Sequence, residues 1–111
     1  MCGQITPWNY PFMMAVWKWA PAVAAGNAVV LKPSELTPSS TSRMAELLTG
    51  VLPSGVVNVV CGGPNVGSAL AAHPHVAMVS VTGSPRTGHA VRRPAHICVW
   101  YAFWLPHSWR A

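Results

Sequence analysis

A chain of 111 residues has room for one small domain, since single domains fall mostly at about 100–150 residues. Seven lysines and arginines stand against two acids, a formal charge of +5, and both acids are glutamates, Glu35 and Glu46. A Ser-His-Asp triad, an aspartyl dyad, an EF-hand loop and an aspartate-held Mg²⁺ site are therefore excluded, and a hydrophobic fraction of 51% excludes a disordered chain.

Short β-branched runs alternate with Ala/Leu/Met-rich runs, and Pro, Gly, Ser or Asn stands at each junction, which is the rhythm of βαβ units. Cys2–Thr6 reads as a strand ending at Pro7. Pro11 suits the first helical position, Phe12–Ala25 reads as a helix closed by Gly26, and Pro21 marks a kink or an early stop. Ala28-Val29-Val30-Leu31 is the continuous apolar run of a strand covered on both faces, and Pro33 ends it. A second helix fits Ser39–Thr49, with Ser39 or Ser40 as N-cap and Gly50 past its end. Val56–Cys61 as strand, Val66–Ala72 as helix, Val76–Val81 as strand and a helix beginning at Ser84 or Pro85 repeat the pattern. The expectation is an α/β fold: an incomplete Rossmann-like parallel sheet of about four strands with flanking helices on both faces.

The composition changes after about His89. All nine glycines precede it, the segment 90–111 has no acid, and five of the ten aromatic residues lie there: Trp100, Tyr101, Phe103, Trp104 and Trp109. Helical or strand periodicity is absent from it, so residues 1–90 are expected to form a partial cofactor-binding domain and residues 91–111 an unrelated, disordered tail. The charge follows the same division. Lys18, Lys32 and Arg43 nearly balance the two glutamates, and the excess comes from Arg86, Arg92, Arg93 and Arg110. Basic residues placed mostly in a tail, rather than clustered on a folded face, argue against a nucleic-acid partner.

Cys2, Cys61 and Cys98 are odd in number and widely spaced, with neither CxxC nor Cys/His metal spacing, so reduced thiols in the cytoplasm and no metal are expected. The apolar stretch from Pro11 to Leu31 is interrupted by Lys18, Pro21, Gly26 and Asn27, which argues against a membrane span.

In a parallel sheet, ligands meet the turns that follow the strands. The first such turn is Thr6-Pro7-Trp8-Asn9-Tyr10-Pro11, where two prolines bracket an asparagine whose amide is suited to donate to a developing oxyanion, or simply to shape the turn. Lys32-Pro33-Ser34-Glu35 places an ammonium and a carboxylate just past a buried strand, either as a ribose-binding pair or as a solvated ion pair. Cys61-Gly62-Gly63-Pro64-Asn65-Val66-Gly67 lets backbone approach a ligand but is not GxGxxG. Thr82-Gly83-Ser84-Pro85-Arg86-Thr87-Gly88 reads as a capped helix start whose free N–H groups attract a pyrophosphate.

Together these turns resemble the NAD(P)-dependent aldehyde dehydrogenases, in particular the aminobutyraldehyde and betaine aldehyde dehydrogenases. The likeness is carried in order and spacing by the run Gly3–Pro11, Ala20-Pro21-Ala22 through Gly26-Asn27, Leu31–Glu35, Pro53–Asn58, and Thr82-Gly83-Ser84 with Gly88, and it covers roughly residues 2–90. It implies that Asn9 is the side-chain oxyanion donor for the adduct of aldehyde and enzyme thiolate, and that Trp8, with Thr6 and Pro7, borders the nicotinamide side of the cofactor groove. It implies further that Lys32, Ser34 and Glu35 hold the adenosine ribose, that Gly63 and Gly67 lie at the adenosine, and that Gly83 and Ser84 meet the pyrophosphate. A glutamate at position 35 repels a 2′-phosphate, so NAD is expected over NADP.

The family's general-base glutamate, in a Glu-Leu-Gly-Gly segment, and its cysteine nucleophile are not found here. No glutamate follows Glu46, and Cys98 lies among Ile97, Val99 and Trp100. An internal start and a shifted reading frame near His89 account for both ends, so a fragment without activity of its own is expected. It is also expected to self-associate through uncovered apolar surface. A non-catalytic nucleotide-binding or interaction module, and a translated gene remnant without function, are the other readings of the same residues.

Overall fold

The computed structural model describes residues 1–92 and the backbone of 99–103. Strands and helices alternate in chain order: β1 (Cys2–Ile5), α1 (Pro11–Ala24), β2 (Val29–Lys32), α2 (Ser39–Leu48), β3 (Val57–Val59), α3 (Pro64–Ala72), β4 (Met78–Gly83), α4 (Pro85–Arg92) and β5 (Val99–Phe103). The strands form one parallel sheet in the order β3-β2-β1-β4-β5. The chain steps outward from β1 to β3, then returns to the other side of β1 for β4. Ile5 consequently sits opposite Lys32 on one side and Val81 on the other. The turns after β1 and β4 diverge there, and such a switch point opens a crevice at the carboxyl edge of a parallel sheet.

Alternation along the strands supplies both faces with apolar side chains. On one face Ala15 and Ala22 of α1 and Met44 of α2 pack with Cys2, Val29 and Leu31. On the other, Leu70 and Ala71 of α3 and Val91 of α4 pack with Ile5, Val79 and Val81. Gly3 permits that second layer: a β-carbon there would lie 3.2 Å from carbons of Leu70 and Val76.

Three features depart from the sequence expectation. Pro21 does not stop α1, which runs on to Ala24; near the helix end it removes a single amide donor, and its own carbonyl still accepts the Ala25 N–H at 3.0 Å. Helix α2 is not capped by Ser39 or Ser40. Pro38, with φ −79° already helical, occupies the cap position and offers only its carbonyl, to Ser42 N–H at 3.0 Å, while both serines lie inside the helix. Lastly, regular structure continues past residue 90. Val91 and Arg92 complete α4, and Val99–Phe103 pairs with β4 from Val79↔Val99 to Gly83↔Phe103. The outer edge of β4 offers unpaired peptide groups, and an uncharged, β-prone run satisfies them. The rest of that segment, 93–98 and 104–111, lies outside the described residues. Among the described residues no helix is long and apolar enough to cross a membrane, and no three metal-ligating side chains cluster.

Candidate functional site

Every turn singled out in the sequence emerges at the carboxyl edge of this sheet. After β1 the chain is tied to β2 by Thr6, whose N–H donates to the Lys32 carbonyl at 3.2 Å. Thr6 is itself buried, and its hydroxyl has no hydrogen-bond partner among the described residues, so it shapes the turn from beneath. Trp8 is 63% exposed, and its carbonyl accepts the Thr37 hydroxyl at 3.4 Å. Pro7 and Asn9 are half-buried beside it. Tyr10 takes the left-handed conformation, φ 51° and ψ 50°, and thereby turns the backbone from Asn9 into α1, whose first bond is Met14 N–H to Tyr10 carbonyl at 2.9 Å. A non-glycine residue in that region costs roughly 1–2 kcal/mol, which fixes the turn only because the helix behind it is packed.

Past β2, Lys32 is 5% exposed and its Nζ donates to Glu35 Oε2 at 3.3 Å. Pro33 is fully buried and Ser34 half-buried, its hydroxyl accepting Leu36 N–H at 3.3 Å, so this turn is rigid. The Glu35 carboxylate projects into solvent. Its own peptide N–H, then the hydrogen bond and charge of Lys32, hold its pKa below the ordinary carboxyl value. It is an ionised acceptor throughout the neutral range.

Beyond β3, Gly63 heads α3 with nothing within 4 Å of the place a β-carbon would occupy, which leaves its backbone open to close approach. Gly67 is buried inside α3. A β-carbon there would meet Ile5 Cδ1 at 3.6 Å and Lys32 Cδ at 3.8 Å, so it packs against the chain itself and backs the Lys32 stem. Cys61 is exposed, 3.8 Å from the Ser42 hydroxyl.

Gly83 ends β4, and Ser84 precedes α4. The Ser84 hydroxyl accepts Thr87 N–H at 3.2 Å and lies 3.1 Å from Thr87 Oγ1, while the Ser84 carbonyl accepts Gly88 N–H at 3.0 Å. This is a helix cap. Pro85 has no N–H, so the Arg86 N–H is the amide of the first turn without an acceptor among the described residues.

These groups fit a dinucleotide: an exposed ionised carboxylate backed by a buried ammonium, an open glycine backbone, and a helix start with a free amide and a cation. Lys32, Glu35, Gly63 and Ser84 are the residues that could hold one.

Three buried polar residues lie away from the strand-end turns. Lys18 of α1 is 8% exposed and donates to Ser80 Oγ at 2.7 Å, and Gln4 donates to the Lys18 carbonyl at 2.8 Å. Burial lowers the Lys18 pKa to about 8. The available signal was spacing: Ala15, Lys18 and Ala22 recur on one helical stripe, which places a lysine in line with core alanines.

The model of the aldehyde dehydrogenase family matches residues 1–98. The chain is 54% identical over 94 residues to a fluoroacetaldehyde dehydrogenase of Streptantibioticus cattleyicolor, covering 84% of this chain and 18% of that enzyme. It is 52% identical over 96 residues to betaine aldehyde dehydrogenase 2 of Rhizobium meliloti, covering 86% and 20%. Among solved structures, an aldehyde dehydrogenase from Bartonella henselae superposes with TM-score 0.88 at 43% identity, over 92% of this chain and 22% of that one. A betaine aldehyde dehydrogenase variant from Staphylococcus aureus, solved with NAD⁺, gives 0.88 at 40% identity over 92% and 22%. The chain thus spans about a fifth of the length of the curated relatives it matches.

Proposed function

Because the chain belongs to the aldehyde dehydrogenase family, we propose that residues 1–92 are part of a cofactor-binding domain whose groove, at the carboxyl edge of the sheet, receives NAD⁺ in preference to NADP⁺. The observation that carries this reading is that four separate turns leave the same carboxyl edge of one parallel sheet, with the Lys32–Glu35 pair in the turn after β2. The Glu35 carboxylate accepts from the two ribose hydroxyls and repels a 2′-phosphate, while buried Lys32 holds the carboxylate in place. The α4 start receives the diphosphate. Asn9 stands where its amide donates to the oxygen of an aldehyde attacked by a thiolate, as in the relatives' oxidation of aldehyde to acid. The bound cofactor supplies the hydride acceptor of that reaction.

The nucleophile and general base of the reaction are not among these groove residues, so the chain alone is a binding unit without turnover. A cytoplasmic setting suits the free thiols of Cys2 and Cys61. Trp8, Tyr10, Phe12 and Trp17 are each more than half exposed on the first turn and α1, which favours self-association of the isolated chain.

Calorimetric titration of NAD⁺ tests the groove. Charge-assisted hydrogen bonds are worth about 1.5–3 kcal/mol each, so Glu35→Gln is expected to weaken NAD⁺ by at least roughly tenfold and to narrow its advantage over NADP⁺. Equal affinity in both forms would remove Glu35 from the site.

A further inference from the structure

We propose that Lys18, buried between α1 and the sheet, is a covalent site for small aldehydes, its side-chain amine condensing with the carbonyl to a Schiff base while Ser80 and Gln4 hold the oxygen that leaves. The site uses neither the cofactor nor Asn9, so it stands apart from the groove reading.

The chain has two lysines, and their surroundings are opposite in kind. Lys32 Nζ donates to the Glu35 carboxylate at 3.3 Å, an ion pair. Lys18 Nζ donates at 2.7 Å to Ser80 Oγ, a neutral hydroxyl. Helix α1 has no other titratable side chain, and β4 has none. On the remaining elements packed around Lys18, Cys2 of β1 lies among Ala22 and Val29, Arg43 and Glu46 of α2 pair with each other in solvent at 2.7 Å, and Lys32 of β2 lies against Gly67 of α3 on the opposite face of the sheet. Burial alone therefore governs the Lys18 amine, and it lowers the pKa to about 8. At pH 7 roughly one such amine in ten is neutral, against about one in three thousand at the ordinary 10.5. The neutral amine is the nucleophile.

Two side chains supply the surroundings that a carbonyl addition needs. Gln4 and Ser80 are partners in register across β1 and β4, so both leave the sheet on the face that α1 covers. Gln4 Nε2 donates to the Lys18 carbonyl at 2.8 Å, which fixes the amide plane. Its Oε1 is buried and has no hydrogen-bond donor among the described residues. A bare acceptor at that depth is costly, and a hydroxyl formed at the carbon attacked by Lys18 satisfies it. The step balances without an oxidant or reductant. The amine adds to the carbonyl carbon, its proton passes to the carbonyl oxygen, and that oxygen leaves as water while the carbon–nitrogen double bond forms. In the intermediate the hydroxyl donates to Gln4 Oε1 and accepts from Ser80 Oγ. Lys18 and Ser80 each keep only 8% exposure, so the site admits a slim aldehyde rather than a bulky one.

The test treats the whole 111-residue chain with acetaldehyde and cyanoborohydride, which reduces the imine to a stable ethyl-lysine, and locates the product by mass spectrometry after digestion. Lys18 is expected to be ethylated at least about tenfold faster than Lys32, at a rate that rises with pH and levels off above about 8. In denaturing urea the two lysines are expected to react alike. Ser80→Ala, which keeps the amine, is expected to slow Lys18 several-fold and leave Lys32 as it was. A native Lys18 that reacts no faster than Lys32, or no faster than Lys18 in urea at pH 7, overturns the proposal, as does an unchanged Lys18 rate in Ser80→Ala. Each of these results leaves the groove reading untouched.

Discussion

Mixed with NAD⁺ and an aminoaldehyde, the chain is expected to produce no NADH above the uncatalysed rate, as followed by nicotinamide absorbance. Enzymes of ordinary efficiency exceed that rate by about 10⁶-fold or more, so the expected loss is large and unambiguous. Covalent oxidation of an aldehyde needs a thiolate held within attack distance of the carbonyl, next to the hydride acceptor, and a base to take protons and activate water. Cys2 is buried at the start of β1, the sheet edge opposite the groove. Cys61 is exposed at the far side of β2, beyond β3, and Cys98 lies outside the described residues. The only glutamates are bound to Lys32 and Arg43. Turnover that disappears in Cys61→Ser or in Cys98→Ser would show instead that this chain holds its own nucleophile.

Replacing Lys18 is expected to stabilise the fold at neutral pH, against the usual effect of a core substitution. The Lys18 pKa is lowered from its ordinary 10.5 to about 8 by burial, and Ser80 Oγ is a neutral partner that does not offset the charge. Below pH 8 the folded chain carries the full cost of a buried ammonium. Between about 8 and 10.5 the unfolded chain binds more protons than the folded one, so stability rises with pH across that window. At 1.36 kcal/mol per unit the cost is on the order of 3 kcal/mol. Lys18→Met with Ser80→Ala, which also avoids leaving the serine unpaired, should raise the urea midpoint at pH 7 by an amount equivalent to about 2 kcal/mol after the lost hydrogen bond. The gain should shrink as pH rises through 10. A lower midpoint at pH 7 would mean that the ammonium is satisfied in the fold.

The parallel α/β order was legible because each element has a local cause. Proline begins α1 and α3, glycine follows α1, and β-branched residues recur in β2 and β4. The capping of α2 was not legible, since Ser39 and Ser40 are good caps and only the already helical φ of Pro38 shifts the start by one residue. Strand β5 has no periodicity to announce it; its pairing is dictated by the open edge of β4, a tertiary fact. At the candidate site, turn chemistry and family resemblance pointed to Lys32, Glu35, Gly63 and Ser84, and all four stand in turns at the carboxyl edge of the sheet. The roles of Thr6 and Gly67 were less visible, because both sit beneath the groove surface and act through packing.

The most direct measurement is a backbone-amide NMR titration of the ¹⁵N-labelled chain with NAD⁺. If the carboxyl edge of the sheet is a dinucleotide groove, shifts should be confined to Trp8–Asn9, Ser34–Glu35, Gly62–Gly63 and Gly83–Arg86, and should saturate together. No shifts, or shifts centred on the opposite end of the sheet at the shallow depression formed by Leu48, Gly50, Leu52 and Gly55, would contradict it.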